Sequence, residues 1–267
     1  MTSQPKIVFI GSGNVATHLA SALVAAAKGC VARIVSPNYC HAAALAERVG
    51  AVASADIADI DTDADYVVIC TADDAIAQVA AAMPRLTHGL LVHTSGSVDM
   101  SVLTPGSDRV AVMYPLQTFS RDVDVNVAEV PFFTEASDDA SLRDVDALAA
   151  MMSQTIIHAD SDRRRVLHVA AVLACNFTSY MLNCAEQVLG SEQLPLRLLK
   201  PLVQTTIDKC FDVGPERAQT GPARRGDTEV VKHHLAMLSD TELHEIYRTI
   251  SQAIMRHFNP DNSQRFT

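Results

Sequence analysis

The chain has 267 residues, of which 48% are apolar and 19% charged, and it contains no Trp. With 21 basic against 31 acidic residues the net charge is −10, which argues against a general nucleic-acid binder, for want of a basic face, and against adhesion to an anionic membrane. At roughly 150 residues per domain the length fits two domains, and the charge divides them: residues 1–160 carry a net −11 and residues 161–267 a net +1, so a boundary is expected near 160.

In chain order, Lys6 to Ile10 (KIVFI) reads as a buried strand, followed at once by Gly11-Ser12-Gly13 and a helix from Asn14 to Lys28 with Val15, Leu19, Leu23 and Val24 on one stripe. Val31 to Val35 is a second strand, His41 to Val49 a second helix closed by Gly50, and 51–53 a short third strand. An acidic turn region over 56–65 precedes a fourth strand, Tyr66 to Cys70, whose apolar run without alternation suits burial on both faces. A helix from Asp74, its expected N-cap, to Met83, strands at 89–93, 110–113 and 130–134, a helix over 140–152 and a last strand at 155–158 complete the first part. Strands alternating with helices predict an α/β fold, a doubly wound, mostly parallel Rossmann sheet over residues 1–160. Beyond 160 only helical stretches appear (163–190, 196–213, 227–239 and 241–258), so residues 161–267 are expected to form an all-helical domain.

No unbroken apolar run reaches the ~18–20 residues that span a bilayer, and the N-terminal stretch lacks the organisation of a signal peptide. Six cysteines, none in a CxxC pair, fit reduced thiols in a cytoplasmic protein. No metal is expected: His244-Glu245 is followed by Arg248 where a zincin would have His, and the adjacent His233 and His234 point about 100° apart on a helix.

The chemistry begins at the first turn. Gly11-Ser12-Gly13-Asn14-Val15-Ala16 is a GxGxxA between a strand and a helix, the context of a dinucleotide fingerprint: Gly11 for the turn, Gly13 for backbone approach to a pyrophosphate at the helix N-terminus, and Ala16 for close packing. The second strand ends in Val35-Ser36-Pro37-Asn38, with no acid to bind a ribose 2′-hydroxyl and repel a 2′-phosphate. Ser36 and Asn38 are candidate donors to that phosphate, so NADP is favoured over NAD, although no Arg stands there. Thr71 and Ala72, at the end of the fourth strand, are expected beneath the nicotinamide ribose. Ser95 and Ser97 in His93-Thr94-Ser95-Gly96-Ser97, and Gln117 and Thr118 after the sixth strand, are candidate substrate-side groups.

In the helical part, His168 and Asn176 interrupt the apolar stretch VLHVAAVLACNF, and their spacing with Arg165 and Val172 puts them near one helix face. They are either satisfied core residues or a functional pair. The same helix is apolar on more than one face, which calls for a second subunit as cover and hence a homodimer. In the loop Thr220-Gly221-Pro222-Ala223-Arg224-Arg225-Gly226-Asp227, Arg224 or Arg225 is a candidate for a substrate carboxylate or phosphate, unless Asp227 caps the next helix and the Arg side chains are solvated.

GSGNVA, VVICTADDAI, HTSGS, YPLQTF, HVAAVLACNF and TGPARRGD occur in this order. Together they resemble the Rossmann-type oxidoreductases of the coenzyme F420-dependent NADP oxidoreductase kind that carry a helical C-terminal domain of unknown function (DUF2520-type). More widely the chain is similar to the 6-phosphogluconate and β-hydroxyacid dehydrogenases. That resemblance implies a helical, dimer-forming second domain, a substrate loop where Ser95-Gly96-Ser97 stands, and a catalytic helix where His168 and Asn176 stand. It also marks two departures: no Lys at 168 or 172, and Tyr114 where the family pattern usually has His. The expectation is an NADP-dependent oxidoreductase moving a hydride between NADP(H) and a small carbonyl or imine substrate, or a deazaflavin (coenzyme F420) by the family label. His168 would be the proton donor, with Asn176 and Ser95 beside it. The alternative is a non-catalytic NADP-binding protein that reports redox state.

Overall fold

A computed structural model describes residues 4–26, 30–239 and 241–260. The expected helix end at Lys28 lies outside them. The first unit is built on eight strands: β1 (Lys6–Ile10), β2 (Cys30–Val35), β3 (Val52–Ser54), β4 (Tyr66–Ile69), β5 (Leu90–His93), β6 (Val110–Pro115), β7 (Phe132–Ala136) and β8 (Ile156–His158). They form one sheet in the order β3-β2-β1-β4-β5-β6-β7-β8. Every neighbouring pair is parallel except β6 with β7. The order reverses between β1 and β4, the switch point where a doubly wound sheet opens a crevice at its carboxyl edge.

The helices of this unit are α1 (Asn14–Ala25), α2 (Tyr39–Val49), α3 (Ile76–Ala82), α4 (Asp139–Ala150) and α5 (Ser161–Ala171). The central strands are apolar throughout because alternate residues feed two cores. Ile7, Phe9, Val68, Leu90 and Val92 join the cluster that includes Leu19, Leu45 and Leu148. Val8, Ile10, Val67, Ile69 and Leu91 join the one that includes Ile76 and Leu103 on the other face. Gly50 ends α2 in the left-handed conformation, φ 71°, as a C′ glycine does. Asp74 does not cap α3. It lies inside a 3-10 turn over Asp73–Ala75, and Ala75 stands at the N-cap of α3 with no side-chain bond.

The chain divides into two compact units after Asn176, later than the charge shift near 160. The reason is Arg164, which is 0% exposed and ties α5 to the sheet. The second unit contains α6 (Phe177–Gly190), α7 (Lys200–Val213), single turns α8 (Pro215–Ala218) and α9 (Pro222–Arg225), α10 (Thr228–Met237) and α11 (Leu243–Phe258). Its buried core is small, centred on Ala223, Val231 and Met255. Asp227 caps α10 by accepting from the Val230 N–H.

The expected helix over 163–190 is not uniform. A π-helical turn, Val172–Asn176, separates α5 from α6, so α-helical spacing alone no longer relates His168 to Asn176. The continuous stretch Ser161–Gly190 is long and apolar enough, by length and composition, to cross a membrane. Its apolar window has mean hydropathy 1.3, and none of that window is buried. The sequence expectation counts uninterrupted apolar residues, whereas hydropathy averaged over the window tolerates the polar interruption at Asn176.

Candidate active site

Two groups of residues meet the carboxyl edge of the sheet in the first unit. The first is the glycine turn. Gly11 has φ +109°, and a Cβ there would lie 2.5 Å from the Cys70 carbonyl oxygen. The turn therefore requires glycine sterically as well as conformationally. Gly13 is different: a Cβ there would meet nothing within 4 Å. Gly13 is also the N-cap of α1, with no side-chain cap bond and no acid in the first turn. Open space and uncapped N–H groups at Gly13, Asn14 and Val15 fit an anion such as a pyrophosphate. Beside the turn lies a cavity of about 730 Å³, within the size range of cofactor sites. Ser12, Ser36, Thr71 and Ala72 all line it. Asn38 spends its side-chain oxygen on the N-cap of α2, accepting from the His41 N–H at 3.2 Å, which leaves its amide NH₂ as the available donor.

The second group gathers at the ends of β4, β5 and β6. Ser95 is buried, and its hydroxyl oxygen accepts from the Ser97 and Val98 N–H groups, both at 3.1 Å. Ser95 thus shapes the loop, while Ser97 donates its hydroxyl to Asp73 at 2.5 Å. Gly96 lies against two side chains: a Cβ there would come within 2.7 Å of Tyr114 Cζ and 3.0 Å of His168 Nδ1. Tyr114 Oη stands 3.3 Å from His168 Nδ1, and the two rings meet edge to face. Burial pushes the Tyr114 phenol above its ordinary value, and the nearby Asp73 carboxylate adds to this, so the hydroxyl keeps its proton at neutral pH.

The position of His168 follows from Arg164, one helical turn earlier on the same face of α5. The Arg164 guanidinium donates to the Ser95 carbonyl at 2.9 Å, to the Val98 carbonyl at 3.1 and 3.2 Å, to Glu135 at 2.8 Å and to Ser161 at 2.9 Å. Its Nε–H also donates to Glu135, at 3.2 Å, so all five of its N–H donors have partners at hand. A fully buried cation thereby fixes both the loop and the helix that carries His168. Beneath the loop, His93 is fully buried, and its Nδ1 accepts from the Ser95 N–H at 3.1 Å. Burial, with the Arg164 charge second, pushes its imidazole down to about 4.

Asn176 is exposed on the π-helical turn. Gln117 and Thr118 are exposed and bonded to each other, the Thr118 N–H donating to Gln117 Oε1 at 2.8 Å. Arg224 belongs to the second unit, where its guanidinium stacks over the Phe258 ring at 4.2 Å. Among the described residues no cluster of three or more His, Cys, Asp or Glu is arranged to hold a metal. The sequence marks Tyr114 only as a departure from the family pattern, and it does not single out Asp73, His93 or Arg164. His93 stands at the end of a strand, where such residues are expected, but Arg164 is hidden in a run of three Arg whose neighbours are exposed.

Residues 6–95 match the family described as NADP oxidoreductase, coenzyme F420-dependent, and residues 130–254 match a domain of unknown function, DUF2520. None of the curated proteins matches the chain. Among solved structures, a candidate NADP oxidoreductase from Bacteroides fragilis is 35% identical, with a TM-score of 0.88 over 95% of this chain and 98% of that one. A protein from Thermotoga maritima is 22% identical, with a TM-score of 0.76 over 97% and 99%. An imine reductase from Streptomyces aurantiacus shares the fold at 16% identity, with a TM-score of 0.61 over 94% and 93%. The identity to the Bacteroides fragilis structure along nearly the whole of both chains, with the two family matches, shows that this chain belongs to the NADP oxidoreductase (coenzyme F420-dependent) family that carries a DUF2520 domain.

Proposed function

We propose that the protein is a reductase that uses NADPH to reduce a C=N or C=O group of a small molecule. The observation that carries this reading is the Tyr114–His168 pair, set at the strand ends that also bear the glycine turn. Bound NADPH would supply the hydride. The chain's own residues would supply the proton and the orientation: the Tyr114 hydroxyl, kept protonated by its surroundings, or an imidazole N–H of His168 donates to the nitrogen or oxygen of the reduced bond. Positioned proton donors of this kind contribute about 10²–10⁴-fold. The Ser97 hydroxyl gives its hydrogen to Asp73, and its oxygen, 3.4 Å from the Ser95 hydroxyl, keeps a lone pair to accept from substrate.

Asp73 favours C=N over C=O. Its carboxylate is in no ion pair among the described residues, so it is available to a protonated imine. The likeness in fold to an imine reductase agrees with this choice. The deazaflavin coenzyme enters only through the family description. A second copy of the chain is the proposed cover for the unburied helix Ser161–Gly190, along which Val166, Val169, Leu173, Phe177 and Tyr180 are all more than half exposed.

The test is NADPH consumption against a panel of cyclic imines and ketones. Turnover that Tyr114→Phe abolishes supports the reading. NADPH binding without turnover on any member of the panel favours a non-catalytic nucleotide-binding protein.

A further inference from the structure

The end of β2 lacks the acid that would exclude a 2′-phosphate, but it also lacks a cation to hold one. The structure brings a cation there from far along the chain. The connection between β6 and β7 is fastened to the first turns of α1: Asn14 Nδ2 donates to the Phe119 carbonyl at 2.9 Å, His18 Nε2 lies 2.9 Å from the Ser120 carbonyl, and the His18 and Phe119 rings stack with centroids 4.9 Å apart. The next residue, Arg121, donates from Nη2 to the Ser12 carbonyl of the glycine turn at 2.8 Å. Arg121 lines the 730 Å³ cavity, as do Ser36 and His41. It also lines an adjoining cavity of about 270 Å³ together with Ser12, His41 and Arg48. Arg121 and Arg48 are in no ion pair among the described residues. One acid, Asp122, shares the smaller cavity. In the larger one the Asp56 carboxylate is engaged in capping the Ala58 N–H.

We propose that Arg121 is the cofactor-specificity residue: its guanidinium, with His41 and with Arg48 of the adjoining cavity, grips the 2′-phosphate of NADP(H) and so selects it over NAD(H). The inference rests on the reading that the first unit binds a nicotinamide dinucleotide. A phosphate monoester carries a charge near −2 at neutral pH, and arginine presents donors in a planar fork that matches phosphate oxygens. One Nη2–H is spent on Ser12, which fixes the plane of the fork and leaves the other N–H donors for the ligand. The pyrophosphate does not compete for Arg121, because the uncapped N-terminus of α1 and the open space at Gly13 suit it.

The test is calorimetric titration of the whole chain with NADP⁺ and, separately, NAD⁺, for the native protein, Arg121→Gln and Arg121→Lys. Native protein is expected to bind NADP⁺ the more tightly. In Arg121→Gln the NADP⁺ affinity should fall about 10- to 100-fold, the usual factor for losing hydrogen bonds to a charged group, while NAD⁺ affinity changes less than about threefold. Arg121→Lys, which keeps the charge but loses the fork, should fall between the two. Equal losses for both nucleotides in Arg121→Gln, or an unchanged NADP⁺ to NAD⁺ ratio, would overturn the assignment and leave Arg121 as a brace for the glycine turn. A native protein that binds neither nucleotide would instead overturn the dinucleotide reading itself, and Arg121's role with it.

Discussion

Tyr114 and His168 come from the end of β6 and the middle of α5, yet their polar atoms stand 3.3 Å apart, with Gly96 as the only spacer that fits between loop and rings. The pair exists because Arg164 seats α5 on the 95–98 loop. Replacing Tyr114 by Phe removes the hydroxyl and little else. Turnover should fall about 10²-fold or more while NADPH affinity, read by calorimetry, stays within about threefold. An unaffected turnover would remove Tyr114 from the chemistry.

Gly96→Ala tests the same pair sterically. A methyl 2.7 Å from Tyr114 Cζ must push the ring or the loop aside. Overpacking of this kind costs about 1–3 kcal/mol, readable as a lower urea midpoint, and turnover should drop with it. The substitution leaves the glycine turn at 11–13 untouched, so NADPH binding should persist.

The two glycines of the turn should behave differently. Gly11→Ala places a Cβ against the Cys70 carbonyl in a left-handed conformation, so it should destabilise the fold itself. Gly13→Asp has open space around it and should fold normally. It puts a negative charge where the proposed cofactor would place its pyrophosphate, however, and NADPH affinity should fall at least about tenfold, or ~1.4 kcal/mol. Unchanged affinity in the folded Gly13→Asp protein would contradict the cofactor site.

Arg164→Ala should be among the most destabilising single changes. It strips the Glu135 carboxylate of its cation, leaving it the Ser161 hydroxyl, and takes the guanidinium donors from the Ser95 and Val98 carbonyls. Breaking a buried ion pair from one side costs about 3–5 kcal/mol. Chemical denaturation of the two proteins checks this, and a loss below about 1 kcal/mol would mean that the loop holds without its cation.

His93 makes stability depend on pH. Its imidazole is held near 4 in the folded protein against about 6.5 when unfolded, so between those values the unfolded chain binds the extra proton. Stability from this group is therefore fully present above about pH 6.5 and is lost as the pH falls toward 4, by about 3 kcal/mol. Urea unfolding from pH 7.5 down to about 4.5 should show that slope, and His93→Gln should flatten it.

The exposed apolar residues along Ser161–Gly190 should make the protein a dimer by light scattering. A charged substitution at Val169, which is 60% exposed, should yield monomer without unfolding the first unit. A native monomer at micromolar concentration would refute the second copy as cover.

By itself the sequence determined the sheet, the nucleotide turn and the helical second part. Those depend on local pattern: KIVFI followed by GSG, apolar runs too dense to face water on either side, and Gly50 at a helix end are each legible within a few residues. The finer errors are also local in origin. Asp74 reads as a cap by its type, but a 3-10 turn takes it in before α3 begins. The spacing of His168 and Asn176 assumes an α-helix that a π-helical turn interrupts. Only the tertiary structure decided the partners in the site. Arg121 reaches Ser12 across 109 positions, Arg164 reaches Ser95 across 69 and Tyr114 reaches His168 across 54. No periodicity encodes such pairs, because each depends on where a whole loop or helix is seated. A buried arginine and an exposed one look alike in a run of three until packing removes one of them from water.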